Sequence, residues 1–397
     1  MKIGVFYVVS ETAAAEIANS DNYPWLKKLT EMTGHEFEMA DPKDLKDYDL
    51  VLDFIGGGGT EGIFLKSLEM LPEPCFLLTT GANNSLAASM EILSYLRQHD
   101  IAGEIIHGSD EYVAKRINQL AAISAAKKRM QNFTFARVGE PSDWLIASDT
   151  NAEASLELNG IRIIDIPMEE FLEEIAHKEY EANEYTEKVL SKGYDENEVL
   201  EALYIYGALK RLVKKYELNG LTVRCFDLLG LVHSTGCTAL AILNAEGIYS
   251  SCEGDVPALV SMALLGELTG EPVFMANPSR IDPEKNEMIL AHCTLPLNMP
   301  EDFSIMTHFE SQIGVAFRGH IAEGPVTIFK CDGLMEEYFV TDAELMDNLT
   351  RENLCRTQIL VKPEESVEYF LTESIGNHHL ICKGHHAQLI HTFFEWM

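Results

Sequence analysis

The chain has 397 residues, 46% of them hydrophobic and 23% charged, a balance that excludes a largely disordered polypeptide. Lys and Arg number 30 against 63 Asp and Glu, so the formal charge is −33, and a surface that acidic repels nucleic-acid backbones and anionic membranes alike. No run reaches the roughly 18 consecutive apolar residues that would span a bilayer.

Residues 1–140 alternate strand and helix. The first apolar run, Lys2 to Val9, reads as a buried strand and not a signal peptide, because it is short and soon followed by an acid. Further strand-like runs lie at 49–55, 74–79 and 103–107, with amphipathic stretches at 61–70, 85–98 and 111–130 between them. Such alternation predicts right-handed crossovers and a doubly wound, flavodoxin-like parallel sheet, which binds ligands at the carboxyl ends of its strands. The run Gly56-Gly57-Gly58-Gly59 follows a strand and opens a helix, and Gly57, Gly59 and Gly62 formally satisfy G-x-G-x-x-G. The run lies near the third strand, not the first. A loop facing a substrate or a neighbouring subunit, or a plain tight turn, therefore competes with a dinucleotide site. Asn83-Asn84-Ser85 caps the next helix at the same sheet edge.

A second α/β unit is expected over 141–295. Its strands are placed at 144–148, 161–166, 223–226, 247–252 and 272–276. A long acidic helical stretch from Met168 to Tyr216, broken at Gly193-Tyr194, and helices at 235–245 and 256–269 lie between them. Beyond about Ala291 the runs 304–309, 313–318, 325–330, 336–340, 357–361 and 367–371 are short and separated by Gly, Asp and Pro. They predict an antiparallel, barrel-like domain over 296–397, closed by a helix at 385–396. The expected fold class is thus α/β: two doubly wound parallel-sheet domains followed by a β-barrel-like domain.

The eight cysteines are scattered and form no C-x-x-C, which in a chain of this size points to reduced thiols and a cytoplasmic location. The three matches to the N-glycosylation pattern carry no meaning in that compartment. No nucleophile elbow and no P-loop is present. Ser251-Cys252-Glu253-Gly254-Asp255-Val256 is more informative. It sets two carboxylates where an apolar strand gives way to an apolar helix, a place that packing alone does not explain. Asp255 suits a helix N-cap. Glu253 then needs another reason, and metal coordination or proton transfer supplies one. The thirteen histidines include His292, His308 and the pairs His378-His379 and His385-His386, and Asn377-His378-His379, between Gly376 and the apolar Leu380-Ile381, is the stronger metal-ligand candidate. Carboxylate plus imidazole with open positions suits a divalent ion such as Mn²⁺.

At these residues the sequence resembles the L-fucose isomerase and L-arabinose isomerase superfamily, in particular its shorter fucose-isomerase-like members. Cys252-Glu253-Gly254-Asp255 resembles the segment with the first metal ligand, and Asn377-His378-His379-Leu380-Ile381 the segment with the histidine ligand. Thr307-His308-Phe309-Glu310 through Gly324-Pro325-Val326-Thr327 resembles the start of the C-terminal barrel.

The resemblance implies a metal-dependent aldose–ketose isomerase of carbohydrate metabolism, acting through an enediolate. It implies Glu253 and His378 as metal ligands, with His292 matching the extra histidine of the arabinose branch. The family's second carboxylate falls on Asn277, which can offer an amide oxygen but neither charge nor basicity. Asp255 and Asp282 are candidates to replace the charge. Glu253 and Asp255 are the expected catalytic acids, Asn84, Arg280 and Asn377 the expected substrate contacts, and Mn²⁺ the expected cofactor. The resemblance also implies a homotrimer or homohexamer with shared active sites, a small sugar as substrate, and no nucleic-acid or membrane partner. Two alternatives stay open: a non-catalytic sugar-binding or regulatory relative, in which Asn277 marks lost chemistry, or an epimerase or lyase on the same scaffold.

Overall fold

The computed structural model describes residues 1–9, 24–41 and 43–396. The chain divides into two compact units, one of residues 1–127 with 392–397, the other of residues 128–391.

The first unit is a five-stranded parallel sheet in the order β2-β1-β3-β4-β5. Its strands are β1 (Lys2–Val8), β2 (Glu36–Met39), β3 (Leu50–Ile55), β4 (Cys75–Leu78) and β5 (Gly103–Ile106). Helices α1 (Pro24–Thr33), α2 (Glu61–Ser67), α3 (Ser85–Gln98) and α4 (Asp110–Met130) make the connections. Alternate residues of each strand serve opposite faces. Val5, Leu52 and Phe54 enter one apolar cluster, while Phe6, Val51 and Ile55 enter the other. That is the doubly wound order expected from the sequence.

The second unit opens on a four-stranded parallel sheet of order β7-β6-β8-β9. It comprises β6 (Thr134–Val138), β7 (Arg162–Ile166), β8 (Gly220–Val223) and β9 (Tyr249–Cys252). Two sequence expectations are corrected here. Residues 144–148 form turns, not a strand, and Ile146 is 93% exposed. Thr134–Val138, assigned above to the first domain, is the strand that pairs with both β7 and β8. The acidic stretch is three helices, α6 (Met168–Ile175), α7 (Glu184–Leu190) and α8 (Glu196–Tyr216), preceded by α5 (Ala152–Asn159). Asn183 and Asp195 cap α7 and α8 by accepting from the first backbone N–H groups. Next come α9 (Asp227–Leu231), α10 (Cys237–Ala245) and α11 (Val256–Thr269).

The barrel starts earlier than the sequence suggested. Strands β10 (Phe274–Asp282), β11 (Glu287–His292), β14 (Gly324–Cys331), β15 (Tyr338–Asn348), β16 (Thr357–Pro363) and β17 (His379–Lys383) close in the order β10-β11-β16-β15-β14-β17. Strands β12 (Asp302–Met306) and β13 (Ala316–His320) form a separate hairpin. Residues 367–371, expected as a strand, contain the single turn α12 (Tyr369–Thr372), and α13 (Ala387–Glu395) is the last helix. The barrel interior is apolar, filled by Phe274, Met288, Leu290, Ile328, Leu345, Val361 and Ile381 among others. Helix α11 is buried nearly all round because it packs on β8 and β9 on one side and on β14 and β17 on the other. Its N-terminus therefore stands where the sheet meets the barrel.

Candidate active site

Strand β9 ends in a turn whose two residues, Glu253 and Gly254, both have left-handed backbones, with φ of 66° and 76°. Gly254 is needed there: a Cβ would come within 2.7 Å of the Glu140 carbonyl oxygen and the Pro141 Cα. For Glu253 the same conformation is strained, and strain of this kind collects at functional sites. The Ser142 N–H donates to the Glu253 carbonyl at 2.9 Å, and the Trp144 indole donates to Glu253 Oε2 at 2.6 Å. The loop misread as a strand thus clamps the glutamate.

From the barrel side, Ala276 of β10 pairs with His379 of β17, and Asn277 of β10 pairs with Ala291 of β11. That register delivers His378, Asn277 and His292 to one end of three adjacent strands. Donor atoms of Glu253, His292 and His378 lie within 4.8 Å of one another, and all three residues are buried. His378 Nε2 is 3.6 Å from Glu253 Oε1 and is a buried nitrogen with no hydrogen-bond partner among the described residues. Its other nitrogen, Nδ1, meets Asp255 Oδ2 at 2.8 Å. Asp255 Oδ1 accepts from the Ala258 N–H as the N-cap of α11 and lies 3.8 Å from Lys330 Nζ, itself 1% exposed. His292 is fixed through Nδ1, 2.7 Å from the Thr294 hydroxyl.

The charges follow from these contacts. Burial pushes the Glu253 carboxyl up, but His378, Trp144 and His292 outweigh it and hold the group below its usual range. Burial likewise opposes ionisation of Asp255, yet Lys330 and His378 bring its pKa down to about 2. Burial would lower His378, but the adjacent carboxylates of Asp255 and Glu253 raise it. Burial, helped by the nearby His378, lowers His292 to about 3, so that ring is neutral and its lone pair is available.

Asn277 lines the same pocket, its Oδ1 accepting from the Asn377 amide at 3.3 Å. Asp282 is at the far end of β10, engaged with Lys285 in the turn to β11. Arg280 is exposed beyond a bulge in the β10–β11 pairing and does not line the pocket. Asp255 lies behind His378 and is likewise not part of the lining. Asn84 belongs to the first unit, where it stands at the N-cap position of α3 without the side-chain capping bond the sequence suggested, and its Cβ is 3.2 Å from where a Cβ on Gly58 would stand.

Sequence reasoning missed Trp144, Thr294 and Lys330. It noted His308 without placing it. His308 and Glu310 line the pocket together with Phe226, Thr235 and five cysteines, and the pocket is partly open to solvent. His308 Nδ1 accepts from the Ser311 N–H at 3.4 Å and meets the Ser311 hydroxyl at 3.0 Å, which puts the ring proton on Nε2. Burial and the Arg356 charge lower its pKa, so the ring is neutral. Cys225 and Cys252 are in contact at 2.7 Å and free.

Sulfoquinovose isomerases of Priestia aryabhattai and Priestia megaterium are each 23% identical to the chain over 268 residues, 64% of this chain and 60% of theirs. The sulfoquinovose isomerase of a Clostridium species is 34% identical over 90 residues, 22% of this chain and 20% of its own. The chain is similar to sulfoquinovose isomerases over part of its length. This agrees with the resemblance to the fucose and arabinose isomerase superfamily. The matched segment spans about 60% of the length of the Priestia relatives. No protein-family model matches the chain. No helix among the described residues is long and apolar enough to cross a membrane.

Proposed function

We propose that the chain is a divalent-metal-dependent aldose–ketose isomerase of carbohydrate metabolism. A sugar sulfonate of the sulfoquinovose type is the first substrate to try. The observation that carries this reading is the buried trio Glu253, His292 and His378, with His378 Nε2 left unpartnered beside a carboxylate. A buried polar nitrogen without a partner is costly, and a cation held between it and the carboxylate removes that cost. The Asp255–His378 pair supports the same reading: histidine ligands commonly give their second nitrogen to a carboxylate, which sets the tautomer and the ring's orientation.

One carboxylate and two imidazoles suit Mn²⁺, and the set also accepts Co²⁺ or Fe²⁺. Glu253, His292 and His378 would hold the ion, which would supply a Lewis acid for the sugar's carbonyl oxygen and for the enediolate oxygens. Trp144 fixes Glu253 through Oε2, leaving Oε1 turned to the site. Asp255 positions His378 and does not touch the sugar. Asn277 cannot exchange protons, so the transfer between C1 and C2 falls to the Glu253 carboxylate and to His308 Nε2, a neutral imidazole in the pocket wall. Asn377 and Asn277 offer amides to sugar hydroxyls. A cytoplasmic homotrimer or homohexamer is part of the reading, with Asn84 at a neighbouring subunit's pocket and Arg280 as a contact to the substrate.

The test is incubation of Mn²⁺-loaded protein with a panel of neutral and acidic aldoses, with the products analysed. One ketose should form, and His308→Gln should lose about 10²- to 10⁴-fold in kcat while keeping its metal. If metal-loaded wild type converts no aldose, the reading fails. If the product is an epimer or an eliminated sugar, the reaction class changes.

A further inference from the structure

Aldoses long enough to cyclise stand in water almost wholly as closed rings, and only the open chain presents O1 and O2 to a metal. Opening the ring takes the proton from the anomeric hydroxyl and places one on the ring oxygen, so it calls for an acid and a base at the two oxygens of C1. Glu253, His292 and His378 are buried around the candidate metal position, and Asn277 beside them is an amide that serves as neither acid nor base.

The polar groups of the pocket wall are nearly all engaged. Trp144 donates to Glu253, Thr294 meets His292, Ser311 meets His308, Asn377 donates to Asn277, and Thr235 donates to the Val315 carbonyl at 2.9 Å. Glu310 is the exception: its carboxyl has no hydrogen bond and no ion pair among the described residues. It is also the one exposed residue of the lining, whereas the trio is buried. Glu310 therefore marks the solvent end of the pocket, where a sugar enters still as a ring.

The turn that carries Glu310 is firmly held. It joins β12 to β13, and His308 accepts from the Gln312 N–H at 3.0 Å and donates its own N–H to the Ile313 carbonyl at 3.1 Å. The buried Arg356 donates from Nε to the Thr307 carbonyl at 2.7 Å and from Nη2 to the Thr307 hydroxyl at 3.0 Å. Phe309 packs on Cys237, Cys293 and Ala316, and its neighbours His308 and Glu310 both line the pocket. Burial and the charge of Glu253 push the Glu310 carboxyl up, while Glu253 is held below its usual range. Two carboxyls in one pocket whose surroundings move them apart are the pattern of an acid and a base.

We propose that Glu310 is a catalytic residue that opens the sugar ring at the entrance of the pocket. One carboxyl oxygen gives its proton to the ring oxygen, and the other takes the proton of the anomeric hydroxyl. The bond from C1 to the ring oxygen breaks, the C1 carbonyl forms, and the carboxyl ends protonated as it began. The open chain then reaches His308 and the buried trio. This rests on the isomerase reading and deepens it. The experiment follows anomer interconversion of freshly dissolved glucose, arabinose, fucose and sulfoquinovose by polarimetry, with wild type, Glu310→Gln and Glu310→Asp, and metal content as the check on folding. The Mn²⁺-loaded proteins are also given glyceraldehyde, which is too short to close a ring.

Wild type should speed anomer interconversion of at least one of these sugars. Glu310→Gln should lose that acceleration about 100-fold, with Glu310→Asp restoring part of it and metal content unchanged in both. The same Glu310→Gln variant should isomerise glyceraldehyde as wild type does. A wild type that speeds no interconversion overturns the proposal, as does a Glu310→Gln variant that speeds it equally. So does a Glu310→Gln variant slowed as much on glyceraldehyde as on the ring sugar, because Glu310 then acts on the carbons or on the fold. Where glyceraldehyde is not turned over, the anomer assay decides. A wild type that speeds interconversion and isomerises nothing, with Glu310→Gln losing the effect, upholds the ring-opening residue while the isomerase reading falls.

Discussion

Asp255 and Asp53 are both buried aspartates, and their surroundings give them opposite states. Asp255 has His378, Lys330 and a backbone N–H, so its charge is compensated and its pKa falls to about 2. Replacing it by Asn should weaken metal binding about 10- to 100-fold, the usual loss when the carboxylate behind a ligating histidine is removed. It should also leave Lys330 unpaired, at about 3–5 kcal/mol of stability. The double variant with Lys330→Met should recover stability and not metal affinity; recovery of both would show that Asp255 acts only on the fold. Asp53, in the middle of β3, has an oxygen with no partner, and burial pushes its carboxyl up to about 8. It stays protonated in the folded state while the unfolded chain ionises it near pH 4. Its contribution to stability is therefore whole below about pH 4 and is lost as pH rises towards about 8. Asp53→Asn should gain stability over wild type between pH 5 and 8, by up to a few kcal/mol, measured by denaturant unfolding. An equal pH slope in the two proteins would refute this.

At the scale of elements, the site depends on one turn and one register. Gly254→Ala meets backbone within 2.7 Å at a positive φ, so the β9–α11 turn must shift and carry Glu253 with it. It should cost about 1–3 kcal/mol and weaken metal binding, whereas Gly247→Ala, at a positive φ with nothing within 4 Å, should cost stability alone. Metal affinity lowered equally in both would contradict a positioning role for the turn. The same scale shows what the sequence could reveal. Apolar runs such as Val51–Ile55 and Cys75–Leu78 are continuous because both faces of their sheet are covered, and they were read directly. Glu36–Met39 was missed because an edge strand that is largely exposed carries no such run. Trp144-Leu145-Ile146 was misread because its apolar residues sit in turns, with Trp144 spent on Glu253. Strand β10 was cut short at 276 because Asn277 to Asp282 is mostly polar, with Asn277 lining the pocket, and β11 was missed.

For the whole molecule, every residue of the trio and its supports lies within residues 128–391, yet they come from five places far apart in the chain. Asp255 and His378 are 123 residues apart, and Trp144 is 109 residues from Glu253. Family resemblance pointed to Glu253, His292 and His378 because short motifs carry them. It could not point to Trp144, Lys330 or Thr294, whose roles arise only when the barrel closes against the parallel sheet. The net charge of −33 adds a field that draws cations towards any site with an incomplete donor set. The most direct measurement is the metal content of the purified protein after Mn²⁺ loading and desalting, wild type beside Glu253→Ala and His378→Ala. About one divalent ion per chain in wild type, and none in either variant whose fold is intact by circular dichroism, is the result expected here. A wild type that retains no ion, or variants that retain it as well as wild type, would contradict the metal site and the isomerase built on it.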